Sequence, residues 1–358
     1  MKIGIIGLAN SGKTTIFNAL TGQELETSSY SLQKAEPNLG MVDVMDERVT
    51  KLSELYEPKK TIYASIEYID FAGFSSEQNK NESIPSNILA LAKTTDALIM
   101  VLRNFSNDFI DAGSDLSALE QIETLDSELI FADLIIAENR KEKIELSKKR
   151  GMKDAALLLE EKAIEKIIAH LGSDQPLRTL ELDPNEEKAV RGFQFISQKP
   201  LLIILNSDEE NYGKNEDVIA QLSDKYKVIE FAGNFEMELS RLPEDEAREF
   251  MKDMGITESA RNLLTKLSYE LLGYISFFTV GKDEVRAWTI EKGQNAVEAA
   301  GKIHSDLARG FIRAECFSYN DLLETGSEKI LREKGLFRLE GKNYIVQDGD
   351  ILSIRFSV

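Results

Sequence analysis

Short, nearly unbroken apolar runs recur along the chain, separated by longer charged stretches with apolar residues at threes and fours. Residues 2–7 form one such run, ended by glycine, and read as a strand buried on both faces. Residues 62–71 alternate and then turn apolar. Residues 97–102 (ALIMVL), 200–205 (PLLIIL) and 228–231 continue the series as buried strands. Residues 14–21 read as a helix whose buried face carries Ile16, Phe17, Ala19 and Leu20. Strands alternating with helices predict an α/β fold with a doubly wound, mostly parallel sheet.

Two stretches break that pattern. From about residue 116 to 195 there is no strand-like run. Residues 122–146 and 155–171 are long charged helical patterns, with Gly151 in SKKRGMKD as the break between them. They predict an antiparallel helical hairpin inserted into the α/β domain. Most of its charges read as a solvated helix surface. Lys148, Lys149, Arg150 and Lys153 differ, because they gather positive charge at a protruding tip. From about residue 276 the runs become short and β-like, at 285–290, 311–317, 343–346 and 351–356. They surround a small-residue helix, 295–304, that buries Ala296, Ala299, Ala300 and Ile303. This predicts a compact α+β module. The expected division is therefore 1–115 with 198–275, then 116–197, then 276–358.

Composition narrows the class. A chain of 358 residues, 42% apolar and 29% charged, is a globular protein of two or three domains. A formal net charge of −19 argues against nucleic-acid binding driven by bulk charge, though not against a local basic patch. The single cysteine, Cys316, excludes an intramolecular disulfide framework, fits a reducing compartment and is expected as a small buried residue. MKIGIIGLANSGKTT does not read as a signal peptide, and no run approaches the ~18 apolar residues of a membrane span. The expectation is a cytoplasmic monomer with no membrane partner.

Gly7 to Thr14, GLANSGKT, matches G-x-x-x-x-G-K-[ST] after a strand and opening a helix, the context the motif requires. Its physics is a nest of backbone N–H groups at the positive end of a helix, which holds phosphate. The candidates for phosphate are Asn10, Ser11, Gly12, Lys13, Thr14 and Thr15. Lys13 adds a cation at the outer phosphates, and the Thr14 hydroxyl suits Mg²⁺. Asp70 and Gly73 form Asp-x-x-Gly after an apolar strand, a magnesium and phosphate sensor; with Lys13 they are the catalytic candidates. Ras-like enzymes follow such a motif with the glutamine that orients water. Here Phe74 follows, and Gln78 comes four residues late. For the base, GTPases carry N-K-x-D after a late strand. This chain has Asn206-Ser207-Asp208-Glu209, lacking the lysine and ending in a longer acid. Asn206 and Glu209 are thus the base candidates, and adenine becomes plausible.

These motifs together resemble the YchF family, also called Obg-like ATPases. The match includes Gly7–Thr14, Glu36 to Gly40, Asp70 to Gly73, Lys199-Pro200, Asn206 to Glu209, FFTVG at 277–281, RAWT at 286–289, AAGKIHSD at 299–306, GFIRAE at 310–315 and EGKNYIVQDGD at 340–350. The resemblance implies a Ras-like P-loop G domain, an inserted α-helical hairpin and a C-terminal β-grasp, ubiquitin-like TGS domain. It also implies ATP preferred over GTP and association with the ribosome, with the basic tip and the TGS domain as docking surfaces; the intact cradle beside altered switches predicts slow Mg²⁺-dependent ATP hydrolysis, with charge stabilised by Lys13, the metal and backbone N–H groups. An apolar residue such as Phe74 is what the family uses in place of the glutamine. Asn10 corresponds to an asparagine that helps place K⁺ in related enzymes; a turn-stabilising Asn is the other reading. Departures fall on the switches. Switch I, with Lys34, Glu36, Pro37 and Asn38, has Lys34 where the family has a threonine. Residues 74–85 lack the family's glycines. The loop after ALIMVL has no histidine; His170 and His304 are expected to be structural. Two alternatives stay open: a nucleotide-sensing module with little hydrolysis, and a GTP-specific GTPase.

Overall fold

The computed structural model describes residues 1–25, 37–71, 86–105, 116–151, 154–253 and 258–357. Lys34, Glu36, Gly73, Phe74, Gln78 and Lys153 lie outside the described residues. The strands are β1 (Lys2–Ile6), β2 (Asn38–Val44), β3 (Lys60–Ile62), β4 (Ala64–Asp70), β5 (Ala97–Asn104), β6 (Leu201–Ser207), β7 (Lys227–Phe231), β8 (Tyr274–Thr279), β9 (Glu284–Glu291), β10 (Phe311–Ser318), β11 (Arg338–Glu340) and β12 (Asp350–Phe356). The chain divides into two compact units, Met1–Met41 with Glu67–Arg261, and Val42–Ile66 with Asn262–Val358. Sequence pattern grouped residues 42–66 with the first 115; here they belong with the C-terminal residues.

The first sheet has the order β2-β4-β1-β5-β6-β7, and β4, β1, β5, β6 and β7 run parallel to one another. Register sets Ile5 beside Asp70 on one side and Ile99 on the other, and Asn206 beside Phe231. Parallel strands end on one edge, so the loops that follow them share a crevice. All seven residues of β6 are buried, as a strand covered on both faces requires. Helix Lys13–Thr21 starts directly after the β1 loop and buries Ile16, Phe17, Ala19 and Leu20.

The insertion is helical as its 3.6-residue pattern demands. Helix Ala118–Lys149 begins in a capping box, with Ser117 accepting from Glu120 N and Glu120 reaching back to Ser117 N. Helix Ala155–Leu171 is capped by Asp154, which accepts from Leu157 N. Between them Gly151 turns the chain at φ 90°, a conformation that favours glycine. The two helices share a core of Ile130, Ala137, Ile144, Ala163, Ile164 and Ile167. Ion pairs fasten it: Arg140 to Glu160, Arg178 to Asp126 at 2.8 Å, and Lys162 and Lys166 to the buried Glu186. His170 bonds Thr179 within this unit. No described helix is long and apolar enough to cross a membrane.

The second sheet has the order β11-β10-β12-β8-β9-β3. Its β8–β9 and β10–β12 pairs are antiparallel, while β12 and β8 are parallel neighbours at the centre. Helix Ala296–Ile303 packs Ala296, Ala299 and Ala300 against Phe277, Ile290, Ala314 and Leu352. A mixed sheet with a parallel central pair and one covering helix is a β-grasp arrangement. β3 extends this sheet beside β9, and Arg48 reaches Asp348 at 2.7 Å, so residues 42–66 complete the unit. The expected strand at 343–346 does not form; Ile345 makes only an isolated bridge to Asn295. Asp350 accepts from Tyr344 Oη and Gln347 N instead, which curls that stretch into a turn. Cys316 is buried in the core, and burial pushes its thiol up to about 12.

Candidate active site

The loop from Gly7 to Thr14 closes on itself before any ligand is considered. Asn10 sits in the left-handed region at φ 58° with an exposed side chain, and Gly12, the helix N-cap, has φ 88°. A Cβ on Gly12 would run into Asn206 Nδ2. Glycine is therefore required there for conformation and for close approach alike. Ser11 is fully buried, and Asn206 Nδ2 donates to its carbonyl at 2.9 Å. Asn206 Oδ1 accepts from Gly233 N at 3.2 Å. One asparagine thus pins the phosphate loop to the segment after β7.

Lys13 folds back over the loop, donating to Gly7 O at 3.0 Å and Leu8 O at 2.7 Å. Burial pushes its ammonium down to about 8, opposed by the nearby Asp70 carboxylate. An ammonium resting on two neutral carbonyls gains on exchanging one for an anionic phosphate oxygen, since charge-assisted bonds are the stronger. Thr14 Oγ1 donates to Asp70 Oδ2 at 3.0 Å, which turns the hydroxyl lone pairs outward. Asp70, at the end of β4, is 2% exposed, and its Oδ1 is buried with no partner among the described residues. A bare buried carboxylate oxygen beside an outward-facing hydroxyl fits a hard divalent cation. No group of three or more acidic, His or Cys side chains that could hold a metal occurs among the described residues. Mg²⁺ would then be completed by phosphate oxygens and water, its usual manner.

The structure brings together Ser11, Gly12, Lys13, Thr14, Asp70 and Asn38, whose Nδ2 also donates to Asp70 Oδ2 at 3.2 Å. Thr15 is half-buried on the same helix, and Pro37 lies half-buried just before β2. Glu209 is exposed in the turn after β6. That turn is held by a residue the sequence reading passed over. Glu230, on β7, accepts from Ser207 Oγ at 2.7 Å, Asn215 Nδ2 at 2.5 Å and Gly213 N at 3.0 Å. An acid in the otherwise apolar strand VIEF was the available signal. At the hairpin tip, Lys148 is paired with Glu161 at 2.7 Å, leaving Lys149 and Arg150 as the exposed cations described there.

Comparison with known proteins agrees with this geometry. Residues 2–140 match the family described as 50S ribosome-binding GTPase, and residues 274–357 match YchF-GTPase_C, described as a protein of unknown function. The chain is 38% identical to the ribosome-binding ATPase YchF of Bacillus subtilis, covering 100% of both, and 37% identical to that of Pasteurella multocida, covering 100% of this chain and 99% of the relative. The structure of the Schizosaccharomyces pombe YchF GTPase superposes with a TM-score of 0.83 at 28% identity, over 99% of this chain and 97% of that one.

Proposed function

Since the chain belongs to the YchF family, we propose that it is a nucleotide-dependent switch that binds ATP, and GTP more weakly, hydrolyses it slowly and works with the ribosome. The observation that carries this is the cradle itself: Lys13 parked on loop carbonyls, and Thr14 and Asp70 joined with one carboxylate oxygen bare. Bound Mg²⁺ would supply charge neutralisation at the outer phosphates. The chain's own part is to position and to stabilise charge. The loop N–H groups and Lys13 hold phosphate, Thr14 and Asp70 hold the cation, and Gly73, outside the described residues, is read from the Asp-x-x-Gly motif as the backbone N–H that senses the last phosphate. No side-chain base is required, which suits Phe74 at the glutamine position. Asn10 is the candidate for a K⁺ contact, and Asn206 and Glu209 border the base.

In this reading residues 1–115 and 198–275, apart from 42–66 and 262–275, which fall in the C-terminal compact unit, form the nucleotide-binding domain, 116–197 the inserted hairpin and 276–358 the TGS domain of a cytoplasmic monomer. Both named relatives are ribosome-binding ATPases, and Lys149 and Arg150, with Lys148 and Lys153, offer a basic tip for such a partner. Titrating ATP and GTP side by side, followed by single-turnover phosphate release against a Lys13→Ala control, tests the proposal. ATP bound about tenfold more tightly, with release above the control, is expected. Guanine preferred by that factor would overturn the base assignment. Tight ATP binding with no release beyond the control would favour a sensor without turnover, the reading that Lys34 in switch I supports.

A further inference from the structure

Asp70 is held asymmetrically. Its Oδ2 receives two hydrogen bonds, from Thr14 Oγ1 at 3.0 Å and Asn38 Nδ2 at 3.2 Å, while the buried Oδ1 has no partner among the described residues. The carboxylate accepts only, so the Asn38 atom facing it is the amide nitrogen and not the oxygen. Backbone pairing of β4 with β1, Asp70 beside Ile5, fixes where the side chain starts. It does not fix the plane of the carboxyl group; the two donors on one oxygen do. We infer that Asn38 is a positioning residue for the metal: it orients the Asp70 carboxylate so that the bare oxygen faces the cation site shared with Thr14.

Thr14 alone is a weaker hold, because the same hydroxyl that donates to Asp70 is also the expected metal contact. Asn38 is free of that double duty. Its Nδ2, the atom that faces Asp70, has no lone pair to offer a cation, so this contact acts through Asp70. Asn38 is also the first residue of β2 and the last of the residues read as switch I. A displacement of Asn38 therefore reaches the metal site through a single hydrogen bond. Residues one step removed from a metal commonly tune its affinity by tenfold or more when removed, about the scale expected for one bond to a charged group.

The inference rests on the phosphate and magnesium reading above, and the test separates the two. In the full-length chain, release of a fluorescent ADP is followed at increasing free Mg²⁺, with release in EDTA as internal reference. For Asn38→Ala the Mg²⁺ concentration that half-retards release rises about tenfold, equivalent to about 1.4 kcal/mol, while the EDTA rate stays within about twofold. Asn38→Leu, nearly the same size but without the donor and without added charge, shows at least that rise and carries the test if the alanine variant folds poorly. A Mg²⁺ midpoint unchanged in both variants, while Asp70→Asn raises it, overturns the role of Asn38 and leaves the metal site standing. A parent protein whose nucleotide release ignores Mg²⁺ overturns the underlying reading, and the inference with it.

Discussion

Asn206 is the side chain on which the two halves of the phosphate crevice depend, and truncating it has a size that can be worked out. It is 4% exposed, and its amide spends both ends on backbone: donor to Ser11 O at 2.9 Å, acceptor from Gly233 N at 3.2 Å. Asn206→Ala deprives two buried backbone groups of these partners. Each such loss costs about 1–3 kcal/mol, so a destabilisation of about 2–6 kcal/mol follows, with the lower half favoured because the loop can relax. The same relaxation loosens Ser11 and Gly12, and a shift of about 1 Å in a positioning loop is worth on the order of a hundredfold. Nucleotide affinity should fall by at least tenfold. Asn206→Asp sharpens the argument. It still accepts from Gly233 but sets a carboxylate against the Ser11 carbonyl, so it should be no better than alanine despite its matching shape. Urea unfolding gives the stability term, and calorimetric titration with ATP and with inorganic tripolyphosphate gives the other. If Asn206 served only the base, tripolyphosphate binding and stability would be untouched. Stability within about 0.5 kcal/mol of the parent, with unchanged tripolyphosphate affinity, would refute the reasoning.

Two further outcomes follow from the geometry. Glu230→Gln replaces a carboxylate that accepts from three groups of the turn after β6 with an amide that sets a donor against one of them; ATP affinity should drop about tenfold while tripolyphosphate binding holds, measured by the same titrations. Glu186 is held down to about 2 by Lys166 foremost, so the stability it adds is fully present above the ordinary carboxylate value near 4.5 and is lost as pH falls from there toward about 2; unfolding midpoints of the parent and Glu186→Gln should therefore converge over that window, and a constant gap would rule the pairing out as the cause.

How much of this was legible in the sequence depends on whether the signal was local. The phosphate loop was, because a strand, a glycine turn and a helix start are contiguous, and Lys13 and Thr14 occupy fixed places within them. The hairpin was, because 32 and 17 residues of helical period leave little alternative. What escaped were roles fixed by register between distant strands. Glu230 is an ordinary strand acid until β7 is laid beside β6, which brings it opposite Leu205 and next to the turn it holds. Asn38 shows no partner in its own neighbourhood; its partner lies 32 residues on, at the end of β4. Residues 42–66 look like part of the first domain because they lie between two of its motifs. Yet Lys60 to Ile62 pair with Glu284 to Arg286, a strand that local pattern cannot see. The covalent consequence is that β2 and β4 each run from one compact unit into the other, and both begin or end at the Asp70 cluster. A protein that must convert a phosphate-sized change into a signal elsewhere has, in those two strands, a direct chain connection from the residues that would sense it.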